Sequence, residues 1–530
     1  MAEKEKKQSV QTIQTKTRVE KGKSSIASVI FGRTGIIILL ILLQFGFLIA
    51  GYTYLQGKMY FIDSVVKAGA VILVIYLTNN RSNPAFKMVW MTIMLVAPVF
   101  GVLLYIFVEF QVGVRWLNAR LEHMHETTKK HWTQDEAVQE QLKEEDSEVA
   151  SLAHYVCEYG GFPAYENTGV KYFSCGEDKI EELIRQLEKA EKFIFMEYFI
   201  IGEGYVWDTV LEVLRKKVKE GVEVRFLYDG MCCLSLLPYH YPQELESYGI
   251  QCHMFAPIVP ALSTRQNNRD HRKIVVIDGK VAFTGGINLA DEYINAITRF
   301  GYWKDAGLRI EGAAAWNFTV MFLDFWNAFR PFEQDYSAFR PQLAVLPASD
   351  GVVQPYADSP LDEEPVAETV YLDILAQSQQ YVYFYTPYLA IGEEMLDALR
   401  NAAKRGVDVR LVLPGIPDKK LVFRLSRSYY LPLLRAGVRI YEYTPGFLHA
   451  KCCVSDDRAA VVGSINMDYR SMFLHFECGV LLLQNSQVLA LRDDVRRTLP
   501  QCREVQCADC RTGLAGTVLD SVLRLLSPLM

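Results

Sequence analysis

Residues 271–288 read HRKIVVIDGKVAFTGGIN, and residues 449–466 read HAKCCVSDDRAAVVGSIN. Laid one on the other, they match His271 with His449, Lys273 with Lys451, Asp278 with Asp456 and Asn288 with Asn466, and the His-to-Asn separation is 17 in both. The chain has only 9 histidines in 530 residues, so composition does not explain the agreement. A compound pattern carried twice predicts two related halves that share one pseudo-two-fold site. Lys273–Ile277 and Ala450–Val454 are short runs of small and β-branched residues, the pattern of buried strands. Residues two apart on a strand face the same way, so each His shares a face with its Lys. Asp278-Gly279 and Ser455-Asp456-Asp457 are turn chemistry. VAFTGG and AAVVGS then return as strands whose small residues allow close approach of a ligand.

These residue types suit a phosphodiester. Splitting one near neutral pH takes a nucleophile, an acid for the leaving alkoxide and positive charge for the phosphoryl oxygens. Imidazole can be the nucleophile when neutral and the acid when protonated, because its ordinary pKa lies near neutrality. Lys273, Lys451, Asn288 and Asn466 can donate to the phosphoryl oxygens. The scheme needs no metal and no cofactor. The catalytic set expected from the motifs is therefore His271, Lys273, Asp278, His449, Lys451 and Asp456, with Asn288, Asn466 and the two lysines binding phosphate. Within that set, the turn positions of Asp278 and Asp456 suit bracing better than chemistry.

The duplication extends beyond the motifs. KFIFMEYFIIGEG (192–204) parallels YVYFYTPYLAIGEE (381–394), GVEVRFLYDG (221–230) parallels GVDVRLVLPG (406–415), and GIQCHMF (249–255) parallels GVRIYEY (437–443). Each half reads strand, helix, strand, helix, strand, then the motif strand, which is an α/β pattern. The stretch 331–365 holds six prolines and reads as a linker. The expected division is a basic tail over 1–34, a membrane domain over 35–110, a polar helical linker over 111–165, a first α/β half over 166–335, a Pro-rich linker over 336–366, a second half over 367–500 and an amphipathic tail over 501–530.

HRKIVVIDGKVAFTGGINLADEY, GYWKDAGLRIEG and FLHAKCCVSDDRAAVVGSINMDYRS together resemble the phospholipase D superfamily, and in particular its bacterial cardiolipin synthases, from about residue 70 to the C-terminus. The resemblance implies two pseudo-symmetric α/β/α halves, and the apolar N-terminal stretches add transmembrane helices before them. It implies transfer of a phosphatidyl group between two phosphatidylglycerol molecules through a phosphatidyl-histidine, with His271 as nucleophile. It also implies that Asp305 and Glu477, at corresponding places in the two halves, orient the imidazoles. A hydrolase releasing phosphatidic acid is the nearest rival activity, and a non-catalytic membrane scaffold is the rival of another class. Intact His, Lys and Asn in both motifs speak against the scaffold.

The N-terminus speaks to location. Residues 1–34 carry a net charge of +5, and Gly35–Leu55 and Met88–Val108 are charge-free and long enough to cross a bilayer. A weaker stretch, Phe61–Thr78, lies between them. The basic tail places the N-terminus inside; three spans would then put the halves outside, and two would leave them in the cytoplasm, which is the reading favoured. Eleven cysteines, an odd number with two adjacent pairs, fit a reducing compartment better than a disulfide framework. Cys502, Cys507 and Cys510 lack a fourth ligand for a structural zinc. The formal charge is −6 overall, so residues 35–530 carry −11, the wrong balance for a nucleic-acid binder. The expected partner is phosphatidylglycerol in the lipid bilayer, with no nucleic acid; the sequence leaves the oligomeric state open. Leu514, Val518, Val522, Leu525 and Leu529 recur at helical spacing, and packing on the core is the reading favoured for them over contact with the membrane.

Overall fold

The structure is a computed structural model that describes residues 60–530, apart from 81–82, 110–111, 257–266, 330–334, 342–349, 363 and 530, and isolated positions between 42 and 53. The strands of the first half are β1 (Thr168–Phe173), β2 (Phe193–Tyr198), β3 (Glu223–Asp229), β4 (Gln251–Phe255), β5 (Lys273–Ile277), β6 (Val281–Gly285) and β7 (Gly307–Gly312). They form a sheet in the order β1-β7-β6-β5-β2-β3-β4. The second half supplies β8 (Val352–Asp358), β9 (Tyr381–Tyr385), β10 (Asp408–Pro414), β11 (Arg439–Tyr443), β12 (Cys452–Ser455), β13 (Ala459–Gly463), β14 (His475–Leu483) and β15 (Cys502–Glu504). Their order is β8-β14-β13-β12-β9-β10-β11-β15. Adding seven to each strand of the first sheet reproduces the second, with β15 as an extra edge. The duplication read from the motifs is thus a duplication of the whole sheet.

The helices are α1 (Tyr60–Asn79), α2 (Pro84–Val96), α3 (Pro98–Glu109), α4 (Val112–Thr128), α5 (Glu136–Glu145), α6 (Ser147–Glu158), α7 (Gly176–Leu187), α8 (Tyr205–Lys219), α9 (Tyr241–Ser247), α10 (Ala315–Asn327), α11 (Val366–Gln377), α12 (Glu393–Lys404), α13 (Lys420–Ser428), α14 (Tyr430–Ala436), α15 (Tyr469–Phe473), α16 (Ser486–Thr498) and α17 (Leu514–Leu526). Every residue of α10 is buried, which suits its lack of a polar stripe. It packs on β5, β6 and β7 of its own half and on β8 of the other. Its counterpart α16 packs on β12, β13 and β14 and on β1 of the other half. Each half therefore clasps the other's edge strand.

The structure corrects four expectations. Residues 336–366 are not wholly linker, because they contain β8, which pairs along β14 from Val352↔Leu483 to Asp358↔Glu477. Pro355 hides this strand from a sequence reading, and it is tolerated because β8 is at the sheet edge, where a missing N–H breaks no ladder. The 501–530 tail likewise contributes a strand, β15, paired with β11. Met88–Val108 is not one straight span. It breaks into α2 and α3 at Ala97 (φ −140°, ψ 76°), since Pro98 cannot continue the hydrogen-bond ladder and disfavours a helical residue before it. The two helices fold against each other, and Gly101 permits it: a Cβ there would lie 2.9 Å from Met94 Cα. Among the described residues no helix is long and apolar enough to cross a membrane. Phe61–Thr78 lies within α1, of whose first residues, 60–66, only the backbone is described, and Gly35–Leu55 lies outside the described residues but for isolated positions. Finally, α17 does not bury its Leu514–Val518–Val522 row in the core but turns it outward. All eleven cysteines are free thiols.

Candidate active site

Each motif histidine stands just before its strand, at the end of a short lead-in that leaves its own half. Arg269–Asp270 pairs in parallel with His475–Phe476 of β14, and the His271 N–H donates to the Phe476 carbonyl at 3.0 Å. Gly446–Leu448 pairs in parallel with Tyr302–Lys304, and the His449 N–H donates to the Lys304 carbonyl at 2.7 Å. The carboxylates follow directly along these partner segments. The result is an exchange between halves. His271 Nδ1 lies 2.8 and 3.0 Å from the two Glu477 oxygens, and His449 Nδ1 lies 2.7 Å from Asp305 Oδ2. Each imidazole is thus oriented by the acid of the opposite half. With Nδ1 donating to a carboxylate, Nε2 carries the lone pair in the neutral ring.

The two carboxylates are held differently. Asp305 Oδ1 accepts from the Ala306 N–H at 2.8 Å, and it passes so close to Gly286 that a Cβ there would lie 2.1 Å from it. The corresponding Ser464 instead donates its hydroxyl to Glu477 Oε2, and Ser471 donates to Oε1 at 2.7 Å. A longer acid held by two hydroxyls thus faces a shorter acid passing over a glycine.

Lys273 and Lys451 are buried on the same faces as their histidines, and each Nζ donates to the carbonyl of its own motif histidine. Burial pushes Lys273 down to about 8, against the pull of Glu477. Burial pushes Lys451 down to about 7, with Asp305 opposing and Lys273 reinforcing. Burial also lowers His271 well below the ordinary imidazole range, with Glu477 opposing it. His449 falls to about 4, through burial and Lys451 against the pull of Asp305. Burial is the largest influence on both acids and raises them, but the neighbours together outweigh it, His271 and His475 at Glu477, and His449, Lys451 and the Ala306 N–H at Asp305, so both stay ionised. The resting site holds neutral imidazoles, ionised carboxylates and lysines poised near neutrality. Lys451 interacts with Lys273, and Lys273 with His449, so the two motifs share one electrostatic environment.

The asparagines differ. Asn288 is already engaged: Oδ1 accepts from the Ile200 N–H at 3.1 Å and Nδ2 donates to the Tyr293 hydroxyl at 2.8 Å. Asn466 is buried, and its Oδ1 has no hydrogen-bond partner. Asp278 and Asp456 lie about 16 Å along the strand from the lysines, at some 3.3 Å per residue. There they brace the fold. Asp278 accepts from the N–H groups of Glu191, Lys192 and Phe193, and Asp456 from those of Gln379, Gln380 and Tyr381. Their place in the catalytic set is corrected accordingly, since neither contacts the imidazoles. Both adopt positive φ (52° and 51°), which aspartate tolerates. Asp278→Ala is expected to lower stability by about 1–2 kcal/mol, the scale of losing one half-exposed turn acceptor shared by three backbone N–H groups. The check is a drop in the unfolding midpoint with turnover per folded molecule retained.

Three residues at the site carry no motif signal. Lys179 of α7 is fully buried, donates to the Tyr198 hydroxyl at 3.4 Å and interacts with Asp305, and burial lowers it to about 7. Arg272 joins Glu197 (2.7 Å) and Asp270 (3.2 Å) in a buried cluster behind the first motif. His475 is buried with its Nδ1 3.8 Å from Glu477 Oε1, beyond a hydrogen bond, and its ring centre 5.4 Å from that of His271. With His271 and Glu477 it forms the one group among the described residues whose potential ligand atoms lie within 4.8 Å of one another. Glu477 is already engaged there by Ser464 and Ser471. The doublet His475/Glu477 two residues apart on a strand could have drawn attention to the third histidine.

A family model described as cardiolipin synthase, phospholipase D-like domain, matches residues 183–298 and again 371–498. A second, described as phospholipase D-nuclease N-terminal, matches 68–109. A cardiolipin synthase of Geobacillus kaustophilus (strain HTA426) is 34% identical over 497 residues, covering 90% of this chain and 95% of its own length. The chain belongs to the cardiolipin synthase family. An uncharacterised protein of Streptococcus mutans serotype c is 46% identical over 458 residues, covering 86% of this chain and 99% of its own length. Among solved structures, the phosphatidylserine synthase of Haemophilus influenzae Rd KW20 has a TM-score of 0.52 at 14% identity, covering 68% of this chain and 95% of that one. At that identity the likeness concerns the fold alone. The double match of the cardiolipin synthase model falls on β2 to β6 of the first sheet and β9 to β14 of the second, and both histidine motifs lie within its segments.

Proposed function

We propose that the chain is a cardiolipin synthase that moves a phosphatidyl group from one phosphatidylglycerol to another, releasing glycerol. The observation that carries this reading is the pair of crossed His–carboxylate contacts, which gives two oriented imidazoles beside two buried lysines. His271 Nε2 attacks phosphorus, and the bond to the glycerol oxygen breaks. His449, neutral in the resting site, takes up a proton from water on Nε2 as the phosphodiester anion binds beside it, and gives that proton to the leaving oxygen. The terminal hydroxyl of a second phosphatidylglycerol then gives its proton to His449 and attacks phosphorus, and His271 leaves. The choice of His271 rests on the family resemblance, because burial holds both imidazoles in the neutral, nucleophilic form. Lys273, Lys451 and the Asn466 amide donate to the phosphoryl oxygens. Both substrates are confined to the bilayer, which concentrates the acceptor at the site. The chain would therefore work at the bacterial cell membrane, with its halves on the cytoplasmic side. The test is to incubate purified membranes with phosphatidylglycerol. Cardiolipin with an equal amount of glycerol is expected, whereas phosphatidic acid alone would assign hydrolysis.

The lysines predict a pH dependence. Their ammonium forms are lost as pH rises through about 7 for Lys451 and about 8 for Lys273. The kcat/KM profile is therefore expected to fall across that window. The corresponding limb in kcat should lie higher, because a bound phosphodiester anion restores the ammonium form. A kcat/KM profile flat through the window would remove the lysines from this role.

A further inference from the structure

The C-terminal helix α17 is amphipathic the wrong way round for a helix resting on a protein. Its two charged residues face inward: Asp520 takes the Arg424 guanidinium of α13 at 2.8 Å, and Arg524 donates to the Ser428 hydroxyl at 3.1 Å with its guanidinium 4.7 Å from the Tyr429 ring centre. Leu523 is buried beneath it. The outward side carries Leu514, Val518, Leu519, Val522 and Leu526, with Leu514 at 84% and Val518 at 56% exposure, and no charge among them. Beside α17 lies α2, which it contacts directly, and α2 ends in Leu95 and Val96 at 81% and 80% exposure. Exposed apolar side chains thus lie on two touching helices. The N-terminal end of α2 also adjoins the candidate site. Phe86 of α2 packs edge-on against Tyr469 and Phe473 of α15 (centroids 6.1 and 6.4 Å), and α15 carries Ser471, the donor to Glu477.

We propose that α17 lies in the plane of a lipid bilayer with its Leu514–Val518–Val522 face in the acyl boundary, and that together with the α2 tip it forms the surface along which the lipid substrates' chains reach the histidines. The proposal rests on the reading above that the substrates are lipids. A bilayer is the favoured occupant because the outward row of α17 and the exposed Leu95 and Val96 of the touching α2 are all apolar, and because both charges on α17 are already committed to the protein. Helices of this kind hold to a bilayer through buried apolar area.

The test uses the full chain in phosphatidylglycerol vesicles, with benzoylphenylalanine placed at Val518 or Val522. Photolysis is expected to give lipid adducts at both positions. Adducts to a second copy of the chain, or no adduct at all, would overturn the proposal. In parallel, Val518→Glu combined with Val522→Glu is expected to keep the unfolding midpoint and the turnover of detergent-dispersed substrate, while turnover in vesicles falls on the order of tenfold. An equal loss in both settings would make the helix merely structural and overturn the proposal. Failure of the phosphatidyl-transfer reading would show separately, as absence of cardiolipin from the unmodified chain in either setting, while lipid adducts still report on the helix.

Discussion

Membranes carrying His271→Ala are expected to lose cardiolipin formation by about 10⁴-fold or more, the scale on which removing a covalent nucleophile acts. With labelled phosphatidylglycerol and acid quenching, the unmodified chain should carry label on the peptide containing His271, and His271→Ala should carry none. His449→Ala should also be slow, because the glycerol alkoxide then leaves without a proton. What little label it accumulates should still sit on His271. Label recovered on His449 in the unmodified chain would reverse the two roles. Finding no covalent species, together with inversion at phosphorus, would falsify the two-step route.

The second large effect lies outside the motifs. Glu477→Gln is expected to lower turnover by about 10³-fold, in line with the loss seen when a buried orienting carboxylate is made neutral in other His-dependent sites. Once His271 bonds to phosphorus, its ring carries positive charge in a fully buried setting. Glu477, 2.8 Å away, is the group that offsets it. The amide keeps the shape but not the charge; one serine hydroxyl still donates to its oxygen, and the other turns to accept from its NH2. A structural role alone would show as a lower unfolding midpoint with normal chemistry. The expected result is the opposite: an unchanged midpoint, with the rate of labelling at His271 reduced. Because Glu477 belongs to the second half and His271 to the first, this variant also tests whether the halves work as one unit.

The duplicated motif made the two-half architecture legible, because strand pattern, turn residues and the 17-residue spacing all act locally. The position of the acids was legible from aligning the halves, but their exchange was not. It depends on Arg269–Asp270 and Gly446–Leu448 pairing with strands of the opposite half, and nothing local to either motif records that choice. β8 escaped notice because Pro355 and its neighbours resemble a linker until an edge position accommodates them. Met88–Val108 is apolar enough for one span, and only Pro98 and Gly101 mark the break that lets it fold back. The spacing of α17 shows that it has an apolar face but not which way that face turns, since the direction is set by Arg424 and Ser428, each 96 residues before its partner on the helix. Lys179 is a single residue with no pattern around it, and only the packed structure brings it to the site; His475 is marked only by its place two residues before Glu477.

The crossed acids have a consequence for how such a site could have arisen and diverged. Either half alone lacks the partner its own imidazole needs, so a single half would have to meet a second copy before any histidine was oriented. In such a symmetric pair both imidazoles would be chemically identical, although the reaction asks one to bond phosphorus and the other to carry a proton. Joining two copies in one polypeptide removes that constraint. Aspartate over Gly286 and glutamate held by Ser464, or Arg272 where the other copy has Ala450, are differences that only a fused chain can keep on opposite sides of one reaction centre.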